Sequence, residues 1–141
     1  MKRCSAMKKI ILMLITIIAA VFVLGGCSDS DDTVVISERF FLHEMQEIFF
    51  NHQQYLGRTI QFEGMFRTIP WGDDDRFIVM RYHWGCCGEE PVGLEIDLNN
   101  FAPLAQNAWV EVTGTLDIDD VFLILRVTSI VELEERGLEV V

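Results

Sequence analysis

Lysine and cysteine are scarce in this chain, and each scarcity excludes a class of protein. Lysine occurs only at positions 2, 8 and 9, so all later basic side chains are arginines. Four cysteines in 141 residues are too few for the spaced disulfides that hold small secreted domains together. The domain must therefore be stabilised by its own hydrophobic core, and it is long enough to bury one.

A basic and then apolar N-terminus predicts an export signal. Residues 2–9 carry four basic side chains and no acid, and residues 10–24 contain a single polar residue, Thr16. This apolar run is shorter than the roughly 20 residues that a membrane-spanning helix needs. A basic stretch, a short apolar stretch and small residues in this order are typical of a signal peptide.

The end of the apolar run, Leu24-Gly25-Gly26-Cys27, resembles the bacterial lipobox. The resemblance implies cleavage before Cys27 and a diacylglyceryl group on its sulfur, and an uncleaved anchor helix is the alternative. In both cases we expect the protein at the cell membrane, lipid-anchored in the first, and facing the extracytoplasmic side. The predicted organisation is a signal peptide at 1–26, a lipidated cysteine with an acidic linker at 27–33 and a folded domain at 34–141.

Loss of the signal peptide would leave a strongly acidic protein. The part from Cys27 onward has 7 basic and 22 acidic side chains, a net charge of −15. Such a surface repels the phosphates of nucleic acids and anionic lipid headgroups. Nucleic acid is therefore excluded as a partner, and a basic protein face, a cation or a neutral ligand fits better.

The apolar pattern predicts one helix followed by five strands. Apolar residues at helical spacing cover 38–54, and Gly57 ends that pattern. The period then changes to two, giving a first strand around Ile60, with Gly64 marking a bend, and further strands near 76–84, 92–98, 108–116 and 121–133. The connection at 99–107 is long enough for a turn of helix.

These elements predict a mainly β fold, a five-stranded OB-like barrel with one N-terminal helix. Five strands with a longer connection between the third and fourth match the order of an OB-fold. The alternative is a small open antiparallel sheet with the helix packed across it. In the barrel we expect one residue from each strand in a common core, namely Ile60, Ile78, Leu94, Val112 and Leu125.

Three segments, YLGRTIQFEGMFR, RYHWGCCGEEPVGL and AWVEVTGTL, together resemble the C-terminal domain of an uncharacterised, permease-associated family of bacterial membrane proteins. The family motif is R-x4-C-C, a nearby acid, then P-x-G. The matching residues are Arg81, Cys86, Cys87, Pro91 and Gly93, with Glu89 or Glu90 as the acid. The resemblance implies an OB-like domain and a permease-like membrane partner. Here the interval before the proline is shorter, and a lipid anchor takes the place of the family's membrane helices.

The adjacent cysteines, Cys86 and Cys87, are the most unusual feature of the sequence. A disulfide between neighbours would be strained, because their Cα atoms lie about 3.8 Å apart. The flanking Gly85 and Gly88 permit a turn, so we expect both sulfurs to converge on a loop between the second and third strands.

Three interpretations of the cysteine pair stay open. The thiolates could bind zinc or copper(I), with His83 as a third ligand and Glu89 or Glu90 as a further one. They could instead form a redox-active dithiol, or pack as small buried apolar residues.

A weaker candidate site consists of Arg81, Trp71, Asp73 and Asp75, which we expect to contact a ligand or partner from loops. In OB-folds the loop after the first strand is one of those that hold ligands. Solvated turn residues are the alternative for these acids. No Ser-His-Asp set, phosphate-binding glycine loop or pair of catalytic carboxylates is present. The sequence thus predicts a membrane-tethered binding domain and no enzyme, with a thiol-redox protein or a pure interaction module as alternatives.

Overall fold

The alternating segments after Gly57 form long strands in the computed structural model, which describes residues 32–141. Strand β1 is very short, at Val34–Val35, and helix α1 covers Phe41–Phe50 between 3₁₀ turns at Glu38–Phe40 and His52–Gln54. The remaining strands are β2 (Thr59–Trp71), β3 (Asp74–Gly85), β4 (Gly88–Asp97), β5 (Trp109–Asp119) and β6 (Phe122–Glu132).

Strands β2 to β6 close into a barrel. The hydrogen-bonded order is β1-β2-β3-β4-β6-β5, and β2 also pairs with β5. Neighbours are antiparallel except β1 with β2 and β4 with β6, which run parallel. The five barrel strands therefore have the OB order that the sequence predicted, and the open-sheet alternative is wrong.

Gly64 lies where strand β2 changes partner. Residues Thr59 to Met65 pair with β5, and Met65 to Trp71 pair with β3. A Cβ atom at Gly64 would lie only 2.9 Å from the carbonyl oxygen of Met80. The predicted bend is therefore the point at which β2 turns from one side of the barrel to the other.

The main core contains four of the five residues predicted for it, but the prediction for Ile78 is wrong. Ile60, Leu94, Val112 and Leu125 lie in this core, whereas Ile78 packs against a second cluster of Met65, Met80 and Trp109. The reason is the phase of β3, since Phe77 and Val79 contact the main core and adjacent strand residues point to opposite faces.

The predicted helix at 38–54 is present but divided into a 3₁₀ turn, α1 and a second 3₁₀ turn. Three of its apolar residues, Phe41, Met45 and Ile48, are buried in the main core. The turn of helix that was possible at 99–107 does not form. Within residues 32–141, no helix is long and apolar enough to cross a membrane. The signal peptide, the lipobox and the linker up to position 31 lie outside the described residues.

The cysteine hairpin as candidate functional site

Strands β3 and β4 form a hairpin whose turn consists of Cys86 and Cys87. The ladder runs to its last pair at Gly85 and Gly88, so only the two cysteines are unpaired. Gly88 has a φ of +130°, a backbone conformation that side-chain-bearing residues rarely adopt. The turn that the flanking glycines predicted is confirmed.

The two sulfurs converge on this turn. Cys86 Sγ and Cys87 Sγ are 3.3 Å apart, and both cysteines are unbonded and exposed. A disulfide bond would bring the sulfurs to about 2.05 Å. The interpretation of the pair as small buried residues is wrong, because neither cysteine lies in the core.

His83 and Glu90 face each other across the hairpin, two rungs from the turn. Their Nε2 and Oε2 atoms are 4.0 Å apart, and the carboxylate of Glu90 covers Gly85, where an added Cβ would overlap it. Glu89 pairs instead with Trp84, whose side chain points to the opposite face of the hairpin from that of His83. Glu90 is thus the acid on the same face as His83.

The hairpin does not by itself assemble a complete set of metal ligands. In residues 32–141, no group of three or more His, Cys, Asp and Glu side chains is arranged to hold a metal ion. The structure therefore brings together the two predicted sulfur ligands but not the full predicted set with His83 and a glutamate. Metal binding stays a prediction for this pair.

Arg81 is part of the barrel wall and not of a loop. The residue lies in β3, and only 1% of it is exposed. Its Nε donates to the carbonyl oxygen of Glu63 at 2.9 Å, and its Nη1 donates to that of Leu138 at 3.0 Å. The proposed contact of Arg81 with an external partner must be corrected, because its side chain is enclosed by its own chain.

Acidic and aromatic groups surround the buried guanidinium. Glu38 Oε2 lies 3.3 Å from Nη1, and the ring centroids of Phe41 and Trp109 lie 4.9 and 4.8 Å from Cζ. Burial lowers the pKa of Arg81 from its ordinary value, while Glu38 and Glu63 oppose that change. Arg81 ties together β2, the 3₁₀ turn before α1 and the C-terminal segment.

Gly93 is required by close packing between β3 and β4. It pairs with Met80, and a Cβ atom at this position would overlap the Val79 carbonyl oxygen and lie 2.6 Å from Met80 Cα. The P-x-G part of the motif therefore includes a position where one backbone approaches another too closely for a side chain.

A comparison with protein families identifies the family of this chain. The model of the DUF1980 C-terminal domain matches residues 25–136, a range that includes all six strands. The chain belongs to the DUF1980 C-terminal domain family. No curated protein matches the chain.

The opposite end of β3 in this DUF1980 domain holds the weaker predicted site. The guanidinium carbon of Arg76 lies 4.5 Å from the ring centroid of Trp71 and 4.9 Å from that of Phe122. This contact joins the β2–β3 and β5–β6 turns. Asp75 lines an adjacent pocket of about 310 Å³, together with Asp119.

Three of the predicted residues, Trp71, Asp73 and Asp75, therefore lie at one end of the DUF1980 barrel. Of these three, Asp75 lines the pocket, whereas Trp71 and Asp73 do not. Sequence reasoning missed Arg76 and Phe122. The signal that could have found them is the pairing of the turns at one end of an OB barrel, which places the start of the second strand beside the last hairpin.

Proposed function

We propose that this DUF1980 domain is a membrane-tethered, extracytoplasmic binding domain that takes up a thiophilic metal ion on Cys86 and Cys87. The observation that carries the proposal is the 3.3 Å separation of two exposed, unbonded sulfurs at the tip of a hairpin. Thiolates are the ligands that soft metal ions prefer. A two-residue turn holds this pair together without any rearrangement of the barrel.

Copper(I) fits the pair better than structural zinc does. Structural zinc sites close with four protein ligands, whereas this hairpin presents two sulfurs. Copper(I) accepts few ligands and favours thiolates. His83 and Glu90 form one cross-strand pair of the same hairpin, two rungs from the turn, and His83 is the candidate for a third ligand.

An exposed pair with few ligands is suited to the transfer of an ion. The tip is solvent-accessible on both cysteines, and the neighbouring Trp84 is 72% exposed. A membrane-bound, permease-like partner at the extracytoplasmic side, which the family resemblance implies, would supply or accept the ion. The lipid on Cys27 would keep the domain next to such a partner.

A thiol-redox function is the second candidate, and the same short sulfur distance favours it. Oxidation would join Cys86 and Cys87 by a bond between neighbouring residues, which is strained and easily reduced. The two functions differ in their products, since one gives a metal complex and the other a disulfide.

The deciding experiment measures metal and thiols on the full-length protein, purified in detergent under anaerobic, reducing conditions without a metal-binding tag. After titration with copper(I) or zinc against a competing chelator, we expect one ion per chain. Affinity should fall as the pH decreases, because protons compete for the thiolates. The variant with Cys86→Ser and Cys87→Ser should lose the ion.

Control variants separate the ligands from the surrounding hairpin. Trp84→Phe changes the tip without touching a sulfur and should bind normally. His83→Gln should weaken binding if His83 is a ligand, whereas the exposed His43 can be changed to Gln without effect. Equal loading of the double cysteine variant, or less than one ion per chain in the wild type, removes the metal function. If air lowers the mass by two hydrogens and a reductant restores it, the redox function would then become the first candidate.

A further inference from the structure

The end of the barrel away from the cysteine turn presents a group of exposed apolar side chains. They belong to the β2–β3 turn, the β5–β6 turn and the connection after β4, and their exposed fractions are Ile69 43%, Trp71 57%, Phe101 38%, Val121 83% and Phe122 45%. Single exposed apolar residues are normal on a protein surface. Several of them at one end of the barrel are typical of an interaction site.

Arg76 holds two of these side chains in a fixed arrangement. Its guanidinium contacts the rings of both Trp71 and Phe122, and its Nη1 donates to Glu95 at 3.1 Å. The two aromatic rings are thus oriented before any partner arrives, which reduces the entropy that binding costs. Tryptophan and arginine are among the residues that most often dominate an interface.

Acidic side chains surround the aromatic pair. Asp73, Asp74 and Asp75 follow Trp71, and Asp119 and Asp120 precede Phe122, and all five are exposed. The adjoining 310 Å³ pocket is lined by Asp75, Asp119 and Asp97 together with Phe77 and Phe101. Asp97 is ion-paired with Arg126, and Arg76, the basic residue among the lining residues, is paired with Glu95, so Asp75 and Asp119 supply the negative charge that the proposal uses. The pocket therefore combines apolar walls with negative charge.

We propose that this end of the barrel, formed by the β2–β3 and β5–β6 turns, docks a segment of a partner protein that carries both arginine or lysine and apolar side chains. Trp71 and Phe122 would contact the apolar residues, and the pocket beside Asp75 and Asp119 would accept a basic side chain. Charge complementarity selects this occupant, because five acids around an apolar centre repel nucleic acid and anionic lipid alike. The proposal does not depend on the thiol pair, which lies at the other end of β3.

The test uses three fluorescent peptides of equal length on the full-length protein in zwitterionic detergent. They alternate leucine with arginine, with serine or with glutamate. We expect the arginine peptide to bind, the serine peptide to bind more weakly and the glutamate peptide not to bind. Binding of the arginine peptide should weaken with added salt, because exposed charges are screened. Absence of binding by the arginine peptide overturns the proposal.

Two variants with matched controls locate the binding site. Trp71→Ser should raise the Kd about tenfold or more, whereas Trp84→Ser at the cysteine end should leave it unchanged. Asp75→Asn with Asp119→Asn should raise the Kd and flatten its salt dependence, whereas Glu134→Gln with Glu135→Gln removes equal charge elsewhere and should not. Circular dichroism would show that each variant is folded. Equal weakening by variant and control would mean non-specific attraction and would overturn the proposal.

A crosslinking experiment distinguishes a protein segment from a lipid surface. A benzoylphenylalanine in place of Phe122, in full-length protein on nanodiscs of mixed zwitterionic and anionic phospholipid, should crosslink to the added arginine peptide. Crosslinking to phospholipid instead, with the peptide present, would assign this end to the membrane and overturn the proposal.

Discussion

Arg81 is a charged side chain at a position where the strand pattern requires an apolar one. It follows Phe77 and Val79 on the face of β3 that contacts the main core, and it is fully enclosed. A buried charge is tolerated only if it is paired and hydrogen-bonded. Two backbone carbonyls and two glutamates meet that requirement, and two aromatic rings make cation–π contacts with the guanidinium.

Replacing Arg81 by methionine should strongly destabilise the protein. The substitution leaves the carbonyl oxygens of Glu63 and Leu138 without their donor and removes the charge opposite Glu38, so the free energy of unfolding should fall by about 2–4 kcal/mol. Urea denaturation would measure the change. Arg39→Met is the control, because Arg39 is exposed, and its effect should stay within ~0.5 kcal/mol. A similar small effect for Arg81→Met would contradict the structural role.

Two glycines of the hairpin should respond differently to alanine. At Gly93 the added methyl would meet backbone atoms of Val79 and Met80, whereas at Gly85 it would meet the flexible carboxylate end of Glu90. Gly93→Ala should therefore cost about 1–3 kcal/mol or more, and Gly85→Ala less. Thermal unfolding of both variants would test this order. The packing argument fails if Gly85→Ala is the more damaging change.

At the residue scale, the sequence predicted the cysteine turn but not the burial of Arg81. The turn could be predicted because two glycines flank the pair and turn chemistry is local. The partners of Arg81 come from Glu38, Glu63 and Leu138, which are distant in sequence. The sequence signal for the burial of Arg81 was its place at every second position after Phe77 and Val79. The prediction of Ile78 as the core residue of this strand assigned the other face of the strand to the core, and Arg81 was therefore missed.

At the scale of elements, a charged cluster links β4, β5 and β6. Arg126 in β6 donates from Nε to Asp117 at 2.6 Å and from Nη1 to Asp97 at 2.9 Å. The hydrogen bond from Arg126 is the main reason that the pKa of Asp117 lies below its ordinary value of 3.8. The cluster joins the parallel pair β4–β6 to the last hairpin.

This cluster should make a small, pH-dependent contribution to stability. Because the pKa of Asp117 is lower in the folded state, its contribution is present above its ordinary pKa and is lost as the pH falls through the lowered value. The wild type should therefore exceed Arg126→Met in stability most at neutral pH, and the difference should shrink on acidification. Urea denaturation at several pH values would measure it. Added salt should reduce the difference as well, because the groups are solvent-accessible.

A constant difference between wild type and Arg126→Met from neutral to strongly acidic pH would exclude the linkage. Asp117→Asn is the matched change, because it removes the titrating group and keeps the shape of the side chain. Combining it with Arg126→Met should produce less than the sum of the two effects, since both remove one interaction.

For the whole molecule, the barrel could be predicted because hydrophobic alternation and strand order act together. When five strands have a long connection between the third and the fourth, few arrangements leave the sheet without an unpaired edge. In this protein the pairing of β2 with β5 closes the sheet. Strand ends were less predictable, and β4 begins at Gly88, earlier than its apolar pattern. Hairpin pairing extends β4 there, although its first residues have little apolar character to reveal a strand.

The attachment of the whole protein to the membrane is the remaining prediction, and it rests on residues 24–27, outside the described part of the chain. Since a lipobox-like Leu24-Gly25-Gly26-Cys27 follows a short apolar run, we expect Cys27 to be the lipidated N-terminus of the mature protein. Mass spectrometry of the membrane fraction should show acyl chains on Cys27 and no preceding residues. Stable anchoring needs more than one acyl chain, and these chains are expected on Cys27, so loss of this cysteine should change how the protein divides between the membrane and soluble fractions.

Cys27→Ser should therefore leave the signal peptide uncleaved and change the fractionation, whereas Cys4→Ser, in the same N-terminal segment, should do neither. An unmodified Cys27 preceded by the intact segment would show that an uncleaved helix anchors the protein instead.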